Sequence, residues 1–468
     1  MPSSGLNPQT QRLVSLLFLT ASIGVLLYFM ASLDSSHLVP MLLMMSPVFF
    51  LISFLSTQTG LVLMVLSMLL SPEIPIASFG RMDVIIRAED VIIPILLLAW
   101  LARLAIRREF RLLAGSPLNK PIFFLIGLSV LSSIHGMIRG WVLSPVMCLF
   151  FFLKTLEFFA IFFLVLNFVR TEEEVRRLIF FALLTALVVG IYTLVQVPKV
   201  EIWTTHRITA PFEGAPEPAT IGGYMAFLLL TIFGLFLYAD TVGRKWFYAI
   251  SGMVIFIPFL FTLNRTSYVA LFAGLVFVAF VTKKRWIGFL LIAFLIGAPF
   301  LLPQAVKSRI AYTWEDAVNP GRELGVDQSF QERIYSFQRM WNTVKQSNPF
   351  IGLGVSTLPY PDNQYVRTIH EIGFIGLGLW LWIFLRLYRI SQWLFENSEA
   401  GMFKGLALGY RAGLFALLLH ALGASTFYIV RIMEPFCFLS GLVVSLYLLR
   451  CEEAEVPEPE PLAEPETA

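Results

Sequence analysis

The sequence is poor in charged residues. Only 14% of its 468 residues are Asp, Glu, Lys or Arg, while 57% are hydrophobic. An average soluble domain carries about 25% charged residues, and a soluble fold of this length cannot hide so much apolar surface. The scarcity of charge therefore excludes a secreted enzyme, a nucleic-acid-binding domain and a soluble dinucleotide-binding enzyme.

Cysteine is scarce as well. The three cysteines are Cys148, Cys437 and Cys451. The first two lie in apolar segments and the third follows the last such segment. Their spacing is not typical of a disulfide framework or a metal site. The net charge of +3 is too small to indicate an acidic or basic partner.

Long apolar segments make up most of the sequence. Segments of about 20 apolar residues are typical of membrane-spanning helices, whereas the strands of a membrane barrel alternate over about 10 residues. The sequence therefore predicts an all-α, polytopic integral membrane protein with about 12–14 membrane-spanning helices. The apolar segments fall near 13–33, 38–55, 58–71, 89–106, 120–137, 147–168, 175–196, 219–239, 246–263, 266–282, 286–302, 371–388, 404–423 and 429–449. The stretch 38–71 fits either two short helices or one helix and a re-entrant piece.

Basic residues mark alternate connections between these segments. They are Arg103, Arg107, Arg108, Arg111 and Lys120, then Arg170, Arg176 and Arg177, then Arg244 and Lys245, then Lys283, Lys284 and Arg285, and finally Arg386, Arg389 and Lys404. Because cytoplasmic loops carry an excess of Lys and Arg, this pattern predicts that both termini are cytoplasmic. We expect the first apolar segment to be a retained helix and not a cleaved signal peptide. The predicted external loops are 72–88, 138–146, 197–218 and 303–370, with a tight external turn at 264–265.

Four regions follow from this organisation. Residues 1–196 and 391–450 are predicted to be membrane helices, and 197–390 is a central region that contains the long external loop 303–370. Within that loop, residues 329–346 place apolar side chains at three- and four-residue steps, which predicts an amphipathic helix. The Pro- and Glu-rich tail 451–468 is predicted to be a disordered, acidic cytoplasmic segment.

Polar residues with possible chemistry gather on the predicted external side. Loop 197–218 carries Arg207 and Glu213 and leads into Gly222 and Gly223, where the absence of a side chain permits close approach. The turn Asn264-Arg265-Thr266-Ser267 places an arginine at the outer boundary of the membrane. That arginine either reaches toward lipid head groups or binds phosphate oxygens in a bidentate manner.

The long loop adds two further sets. Arg333 and Arg339 lie beside Trp341 in the amphipathic segment, which fits either a ligand site or a helix lying on lipid. Asp362-Asn363-Gln364-Tyr365 then precedes His370. Asp362 fits either a helix N-cap or a general base, and on a continuous helix His370 would share its face. A single histidine at a helix start is more often structural.

Charged residues also occur within apolar segments. Lys154 and Glu157 are three residues apart on one predicted helix, and Arg431 and Glu434 repeat that spacing. Such pairs can neutralise each other. Arg411 lies in the middle of a segment and is expected to face the protein interior.

An ordered set of short motifs carries a family resemblance. The motifs are Arg207 to Phe212, Asn264-Arg265, Arg333 to Phe337, Asn348-Pro349-Phe350-Ile351-Gly352-Leu353-Gly354, Asp362-Asn363-Gln364-Tyr365 and Gly373-Phe374-Ile375-Gly376. In this order, and with a long external loop in the same place, the chain resembles the O-antigen ligase and polymerase superfamily, which includes exopolysaccharide polymerases. The resemblance covers roughly residues 200–390.

The resemblance implies glycosyl transfer at the outer face of the bacterial cytoplasmic membrane, with no metal or other cofactor and no nucleotide sugar. The implied donor is an oligosaccharide on a polyprenyl diphosphate, and the acceptor is another lipid-linked glycan or a lipid A core. Arg207 and Arg333 match arginines that hold the diphosphate, and Arg265 matches the arginine of the helix-pair turn.

The predicted catalytic residues are Asp362 and His370, of which His370 could supply an imidazole but does not match the position of the motif. The other predicted substrate-binding residues are Glu213, Asn363 and Tyr365. The ligase branch has a histidine where this sequence has Asp362, and this difference favours a polymerase.

The expected partners are membrane lipids, a flippase and a chain-length regulator, and no nucleic acid. Two other classes stay open. A transporter or flippase would place ionisable residues near the middle of the bilayer and contain broken helices and an internal repeat. A non-catalytic scaffold would tolerate conservative Lys replacements of Arg207, Arg265 and Arg333.

Overall fold

The computed structural model describes residues 35–79, 82–107, 114–142, 144–200, 208–211, 217–315, 328–357 and 362–455. Within these ranges the chain is a bundle of helices with one small hairpin. The N-terminal part comprises helices α1 (Ser35–Leu55) and α2 (Thr57–Leu70), strands β1 (Ile74–Phe79) and β2 (Met82–Ile86), and helix α3 (Glu89–Arg107). Ser56 separates α1 from α2 and caps α2, because its side chain accepts a hydrogen bond from Thr59 N. The stretch 38–71 is therefore two helices.

One small hairpin lies among the helices of this all-α fold. Strands β1 and β2 pair antiparallel, with Ile74 opposite Ile86 and Phe79 opposite Met82, and the register shifts between Pro75 and Ala77. The predicted external loop 72–88 thus contains regular structure that leads directly into α3.

The middle of the chain contains seven further helices. They are α4 (Asn119–Ile138), α5 (Pro145–Phe168), α6 (Glu172–Gln196), α7 (Pro218–Leu237), α8 (Val242–Leu260), α9 (Arg265–Thr282) and α10 (Arg285–Leu301), with a short 3-10 turn at Val197–Lys199 after α6. Helix α6 begins with a capping box, in which Thr171 and Glu174 satisfy each other's backbone N–H groups.

The C-terminal part contains α11 (Gln304–Glu315), α12 (Gln328–Gln346), α13 (Gln364–Asn397), α14 (Met402–His420) and α15 (Val430–Glu455). Helix α12 confirms the predicted amphipathic helix, and its Met340 and Val344 are buried. Helix α15 continues to Glu455, so the prediction of disorder for 451–468 is wrong for its first five residues. Residues 456–468 lie outside the described ranges.

The helices confirm a polytopic membrane protein. Within the described ranges, eight helices are long and apolar enough to cross a membrane, namely α4, α5, α6 with its 3-10 turn, α7, α9, α13, α14 and α15. Each predicted apolar segment from 38–55 onward overlaps a helix, while segment 13–33 lies outside the described ranges. The total of 12–14 spans stays a prediction.

Helices α7, α14 and α15 form the centre of the bundle. In α7 and α15, 83% of the apolar membrane-length window is buried, against 28% in α9. Glycines let α7 and α14 touch through their backbones, since a Cβ at Gly234 would lie 2.4 Å from Gly405 O and 2.5 Å from Gly409 N. Small residues permit such close helix contacts in membranes.

Two of the predicted basic connections, those before α6 and before α14, meet at one end of this bundle. The guanidinium of Arg176 at the start of α6 lies 4.3 Å from the ring centroid of Phe403 at the start of α14. Arg450 near the end of α15 pairs with Glu172 at 2.9 Å. Ser267 and Asn363 lie at the opposite end, where α14 finishes.

Candidate functional site

The ends of four helices meet around His420, the last residue of α14. His420 is fully buried, and its Nε2 lies 3.1 Å from Ser267 Oγ in the first turn of α9, while Nδ1 lies 2.8 Å from Thr426 Oγ1. Helix α7 begins against the same ring, because a Cβ at Gly223 would lie 2.9 Å from His420 Cε1. The neighbouring Gly222 faces Ser267 in the same way, at 2.4 Å from its Oγ. The absence of side chains at Gly222 and Gly223 therefore permits the close contact of α7 with Ser267 and His420.

Arg265 is the first residue of α9 at this meeting point. Asn264 caps the helix, and its Oδ1 accepts hydrogen bonds from Ser267 N at 2.9 Å and Ser267 Oγ at 3.1 Å. Leu263 has a positive φ of 54°, so the chain turns sharply before the cap. The side chain of Arg265 is partly exposed, and α14 ends beside it, since a Cβ at Gly423 would lie 2.6 Å from Thr266 Oγ1.

The predicted motif at the start of α13 meets the same end of α14. Asn363 caps α13 by accepting from Tyr365 N at 2.9 Å and Val366 N at 3.2 Å, and its Nδ2 donates to Leu422 O at 2.9 Å. Tyr365 donates its hydroxyl to Leu418 O at 2.7 Å. Asn363 and Tyr365, which are predicted to bind substrate, thus connect the start of α13 to the end of α14 in this structure. Asp362, immediately before the cap, is exposed.

The structure separates Asp362 from His370. The helix begins at Gln364, so Asp362 is neither its cap nor on its face, and the prediction of a shared face is wrong. His370 is 1% exposed, and its Nδ1 has no hydrogen-bond partner among the described residues. It lies about 9 Å along the helix from Gln364, at 1.5 Å per residue. Of these two predicted catalytic residues, only Asp362 is accessible from outside.

A break in α13 explains the glycine motifs. Gly373 has φ 72° and ψ −174°, which interrupts the helix and leaves nearby carbonyls without helical partners. Backbone N–H groups of the preceding segment replace those partners, with Leu353 N donating to His370 O at 2.8 Å and Gly354 N to Glu371 O at 2.9 Å. In return, Phe374 N donates to the carbonyl of Pro349 at 2.9 Å. The motif 348–354 is thereby attached to the break.

A buried ion pair that the sequence motifs do not predict lies in α13 just before this break. Arg367 Nε donates to Glu371 Oε1 at 3.1 Å, and both side chains are buried. The Arg367 guanidinium lies 3.7 Å from the ring centroid of Tyr428, whose hydroxyl donates to Glu371. The four-residue spacing of Arg367 and Glu371 was the available signal, but Tyr428 comes from a distant part of the chain.

A second buried cluster joins the two charged pairs noted within the membrane segments. Lys154 Nζ lies 2.6 Å from Asp90, 2.8 Å from Glu157 and 3.6 Å from Glu434. Arg431, beside Glu434, donates to the backbone carbonyls of Leu69, Ser71 and Pro211. The predicted pairs are therefore one network that reaches the segment 208–211.

The hairpin connection supplies another cation to this network. Arg87 pairs with Glu73 at 2.5 Å and lies 4.0 Å from Glu89. Burial alone would lower the pKa of Arg87, but the carboxylates of Glu89 and Glu73 outweigh it and raise that pKa. Arg87 is therefore held as a cation beside the membrane-embedded charges.

The remaining predicted residues are placed only in part. Arg207 and Glu213 lie outside the described residues, although Ile208 and Ala210 between them are buried. Arg333 lies in α12, whose Trp341 packs edge to face against Phe374 just beyond the break in α13. The Arg333 side chain is outside the described part of the structure.

Arg411 faces the interior, as the sequence predicted, but it is not part of this site. It is 3% exposed and lies about 5.5 Å from the ring centroids of Phe277 and Tyr388. Among the residues that the structure describes, no group of three or more His, Cys, Asp or Glu side chains is placed to hold a metal ion.

The fold and the meeting helix ends define a class: a multi-pass membrane protein with a polar site at one end of its bundle. Residues 249–381 match the O-antigen ligase family, and the matched region includes Arg265, the motif 348–354 and Asp362. The match confirms the resemblance to the O-antigen ligase and polymerase superfamily.

A solved structure described as "Structural coordination of polymerization and crosslinking by a peptidoglycan synthase complex" contains a similar chain. The two chains are 17% identical, and the similarity covers 71% of this chain and 96% of that chain with a TM-score of 0.38. The comparison with curated proteins gives no match.

Proposed function

We propose that this protein is a membrane glycosyltransferase that polymerises, or ligates, glycan repeat units carried on polyprenyl diphosphate. The reaction takes place at the outer face of the bacterial cytoplasmic membrane and serves O-antigen or exopolysaccharide synthesis. The observation that carries this proposal is the position of Arg265, which begins α9 within the O-antigen ligase region where α7 and α13 also begin and α14 ends.

The electrostatics of this meeting point suit a diphosphate. Helix N-termini carry partial positive charge and bind phosphate groups, and α7, α9 and α13 all direct their N-termini here. The guanidinium of Arg265 adds a full charge and can donate two parallel hydrogen bonds to phosphate oxygens. By their motifs, Arg207 and Arg333 are assigned to the same diphosphate.

The transfer step follows from these groups. The acceptor hydroxyl attacks the anomeric carbon of the donor sugar, and its proton passes to the carboxylate of Asp362. The bond between the anomeric carbon and the phosphate oxygen breaks, and the carrier diphosphate leaves with the electron pair. The arginines stabilise the charge that develops on the leaving group. We assign the base to Asp362 because it is exposed, whereas His370 is buried below it.

Replacement of Arg265 tests the proposal most directly. In proteoliposomes that contain a polyprenyl-diphosphate-linked oligosaccharide, we expect Arg265→Ala to lower the transfer rate roughly 100-fold, the order found when one preorganised donor is removed. Arg265→Lys keeps the charge but loses the bidentate geometry and should also be impaired. The control is Arg139→Ala, an exposed arginine at the end of α4. Equal rates for all four proteins would contradict the assignment of Arg265.

A gene deletion separates polymerase from ligase. A polymerase defect leaves single repeat units on the carrier at the outer face, whereas a ligase defect leaves finished polymer on the carrier. We expect the first outcome, because Asp362 stands where the ligase branch has histidine. The proposal includes cytoplasmic termini and cooperation with a flippase and a chain-length regulator.

A transporter of the same precursors is the second candidate. It is favoured by the break at Gly373 and by the buried network around Lys154, both of which occur in membrane-spanning helices. A fluorescent polyprenyl-diphosphate disaccharide in proteoliposomes separates the two functions. Movement of the intact lipid between leaflets, with no new glycosidic bond, would support transport and refute glycosyl transfer.

A further inference from the structure

A cavity of about 370 Å³ lies between α7, α8 and α9, and its lining is apolar or aromatic. Two small residues on α8, Ala249 and Gly252, lie one turn apart in this lining. A Cβ at Gly252 would come no closer than 3.6 Å to Ile232 Cγ2 on α7, so the helices leave open space beside it. The cavity therefore exists because α8 presents small residues to α7 where larger side chains would fill the gap.

The cavity opens sideways toward the bilayer. Met253 on α8 lines it and is 59% exposed. The walls on either side, α7 and α9, are long and apolar enough to span the membrane, and α9 is the least buried of the eight such helices in the described ranges. An apolar opening between spanning helices faces hydrocarbon, so a lipid chain can enter the cavity from the membrane.

The cavity has about the depth of one leaflet. On α8 the lining runs from Tyr248 to Phe256, which corresponds to about 12 Å at 1.5 Å per residue. The hydrocarbon core of a bilayer is about 30 Å thick, or roughly 15 Å per leaflet. On α7 the lining runs from Leu229 to Phe236, in the second half of that helix. Because α7 begins at the meeting point around His420, the cavity faces the opposite leaflet.

Two tryptophans mark the membrane surface on this side. Trp246, in the second turn of α8, and Trp286, at the start of α10, are both exposed. Tryptophan is enriched where a membrane meets water. The start of α8 therefore lies at the level of the lipid head groups, and the cavity, whose lining on α8 begins at Tyr248, adjoins that level.

A lysine continues the cavity-lining face of α8 to this level. Lys245 precedes Ala249 by four residues and Gly252 by seven, so all three share one face of the helix. The turn between α9 and α10 lies close by, because Lys284 Nζ is 4.8 Å from the ring centroid of Tyr238 at the end of α7. Basic side chains from two connections therefore lie at the head-group end of the cavity.

These two connections carry more cations than acids. The connection 238–245 has Arg244 and Lys245 against Asp240, and Asp240 already pairs with Arg244 at 2.7 Å. The turn 282–285 has three cations and no acid in its sequence. The acids at the start of the neighbouring helix α6 have partners of their own, namely Glu172 with Arg450, Glu173 with Arg177 and Glu174 with Thr171. A lipid phosphate at this level therefore meets positive charge, whereas the ammonium of a zwitterionic head group is repelled.

We propose that this cavity binds one chain of an anionic glycerophospholipid, whose phosphate lies at Lys245 and the turn 282–285. An acyl chain of one leaflet matches the depth of the cavity. Each basic residue near a membrane surface adds about 1 kcal/mol to the attraction of an anionic lipid, which is roughly fivefold in affinity. The site is separate from the proposed transfer reaction and does not depend on it.

The bound chain fills a space beside a close helix contact. A Cβ at Gly274 on α9 would lie 2.3 Å from Leu230 Cδ1 on α7, so the two helices are in tight contact there. Leu229 and Leu275, one residue from each of these positions, line the cavity. A lipid chain in the cavity therefore packs against both helices, and a ligand that binds only the folded protein stabilises it by mass action.

Lipid retention by the full-length protein tests the binding. The protein is reconstituted in nanodiscs that contain equal amounts of dioleoyl phosphatidylglycerol and dioleoyl phosphatidylethanolamine, and native mass spectrometry counts the lipids that stay bound. We expect phosphatidylglycerol to be retained in preference, and the protein to unfold at a higher temperature in nanodiscs that are rich in it. Equal retention of the two lipids would overturn the proposal.

Filling the cavity provides a matched pair of variants on one helix. Ala249→Phe places a ring in the cavity, whereas Ile250→Phe changes the next residue, which is exposed and does not line it. We expect only Ala249→Phe to remove the preference for phosphatidylglycerol. If Ala249→Phe lowers the yield of folded protein, Ala249→Leu, which fills part of the space, takes its place. The same preference in the filled and the control variants would overturn the assignment to this cavity.

A neutral replacement tests the head-group argument. Lys245→Gln removes one positive charge, so the preference for phosphatidylglycerol should fall roughly fivefold. Lys120→Gln, which changes an exposed lysine at the start of α4, is the control and should keep the preference. An unchanged preference in Lys245→Gln would refute the placement of the phosphate.

A polyprenyl carrier is the alternative occupant of the cavity. In nanodiscs of phosphatidylethanolamine with added polyprenyl phosphate, wild type and Ala249→Phe should retain equal amounts of the carrier, because the proposed diphosphate site lies at the other end of the bundle. Loss of polyprenyl phosphate from Ala249→Phe would assign the cavity to the carrier chain and overturn the proposal.

Discussion

The attachment of the motif 348–354 to the broken helix α13 gives a sharp test through Gly373→Ala. Gly373 has φ 72° and ψ −174°, a conformation that is essentially restricted to glycine. A side chain there costs about 1–3 kcal/mol in backbone strain alone. Its Cβ would also lie 2.1 Å from Phe350 O and 2.2 Å from Phe350 C, and neither backbone atom can move away without displacing the attached segment.

Displacement of that segment would weaken the backbone hydrogen bonds on both sides of the break. Each contributes about 0.5–1.5 kcal/mol net, so loss of one or two in addition to the strain gives an expected destabilisation of roughly 1.5–6 kcal/mol. Thermal unfolding of the purified protein in nanodiscs, followed by intrinsic fluorescence, measures the change. Rescue is not expected from a lipid or substrate, because the clash is internal.

A control lies five residues further along the same helix. A Cβ at Gly378 would meet no atom within 4 Å, and its φ is not positive. Alanine is favoured over glycine in helices by about 1 kcal/mol, so Gly378→Ala should be neutral or stabilising. If Gly373→Ala unfolds at the same temperature as Gly378→Ala, the break and the hydrogen bonds that attach the motif 348–354 to it do not stabilise the protein as described.

Three further predictions concern the centre of the bundle. Gly223→Ala should destabilise the protein because the new Cβ would lie 2.6 Å from Ile432 Cδ1, whereas Gly252→Ala, whose nearest contact is 3.6 Å, should not; unfolding temperatures compare the two. His420→Ala removes the hydrogen bonds of the ring to Ser267 and Thr426 and should destabilise by about 1–3 kcal/mol, an effect that chemical denaturation measures and that a stability equal to wild type would contradict. Arg411→Met should leave stability unchanged or raise it, since the buried guanidinium lies among aromatic rings and its Nε has no hydrogen-bond partner among the described residues; a lower unfolding temperature would refute this.

Hydrophobic length predicted the helices well, because a membrane-spanning helix is specified by its own residues. The amphipathic segment 329–346 corresponds to Gln328–Gln346, one residue longer. The apolar pattern does not predict the hairpin, because its short strands lie between apolar segments, within the predicted external loop 72–88. Its signal was the pair of runs rich in β-branched residues, 74–79 and 82–86, on either side of a glycine.

The site was less predictable because its residues meet through helix packing. The caps at Asn264 and Asn363 follow local rules and could be expected from sequence. His420 could not, since its partner Ser267 is 153 positions away. In the same way, the sequence predicts that Lys154 and Glu157 can neutralise each other, whereas Asp90, from 64 positions away, also accepts a hydrogen bond from the Lys154 ammonium. Spacing along one helix shows which side chains share a face but not which other helix supplies the remaining charges.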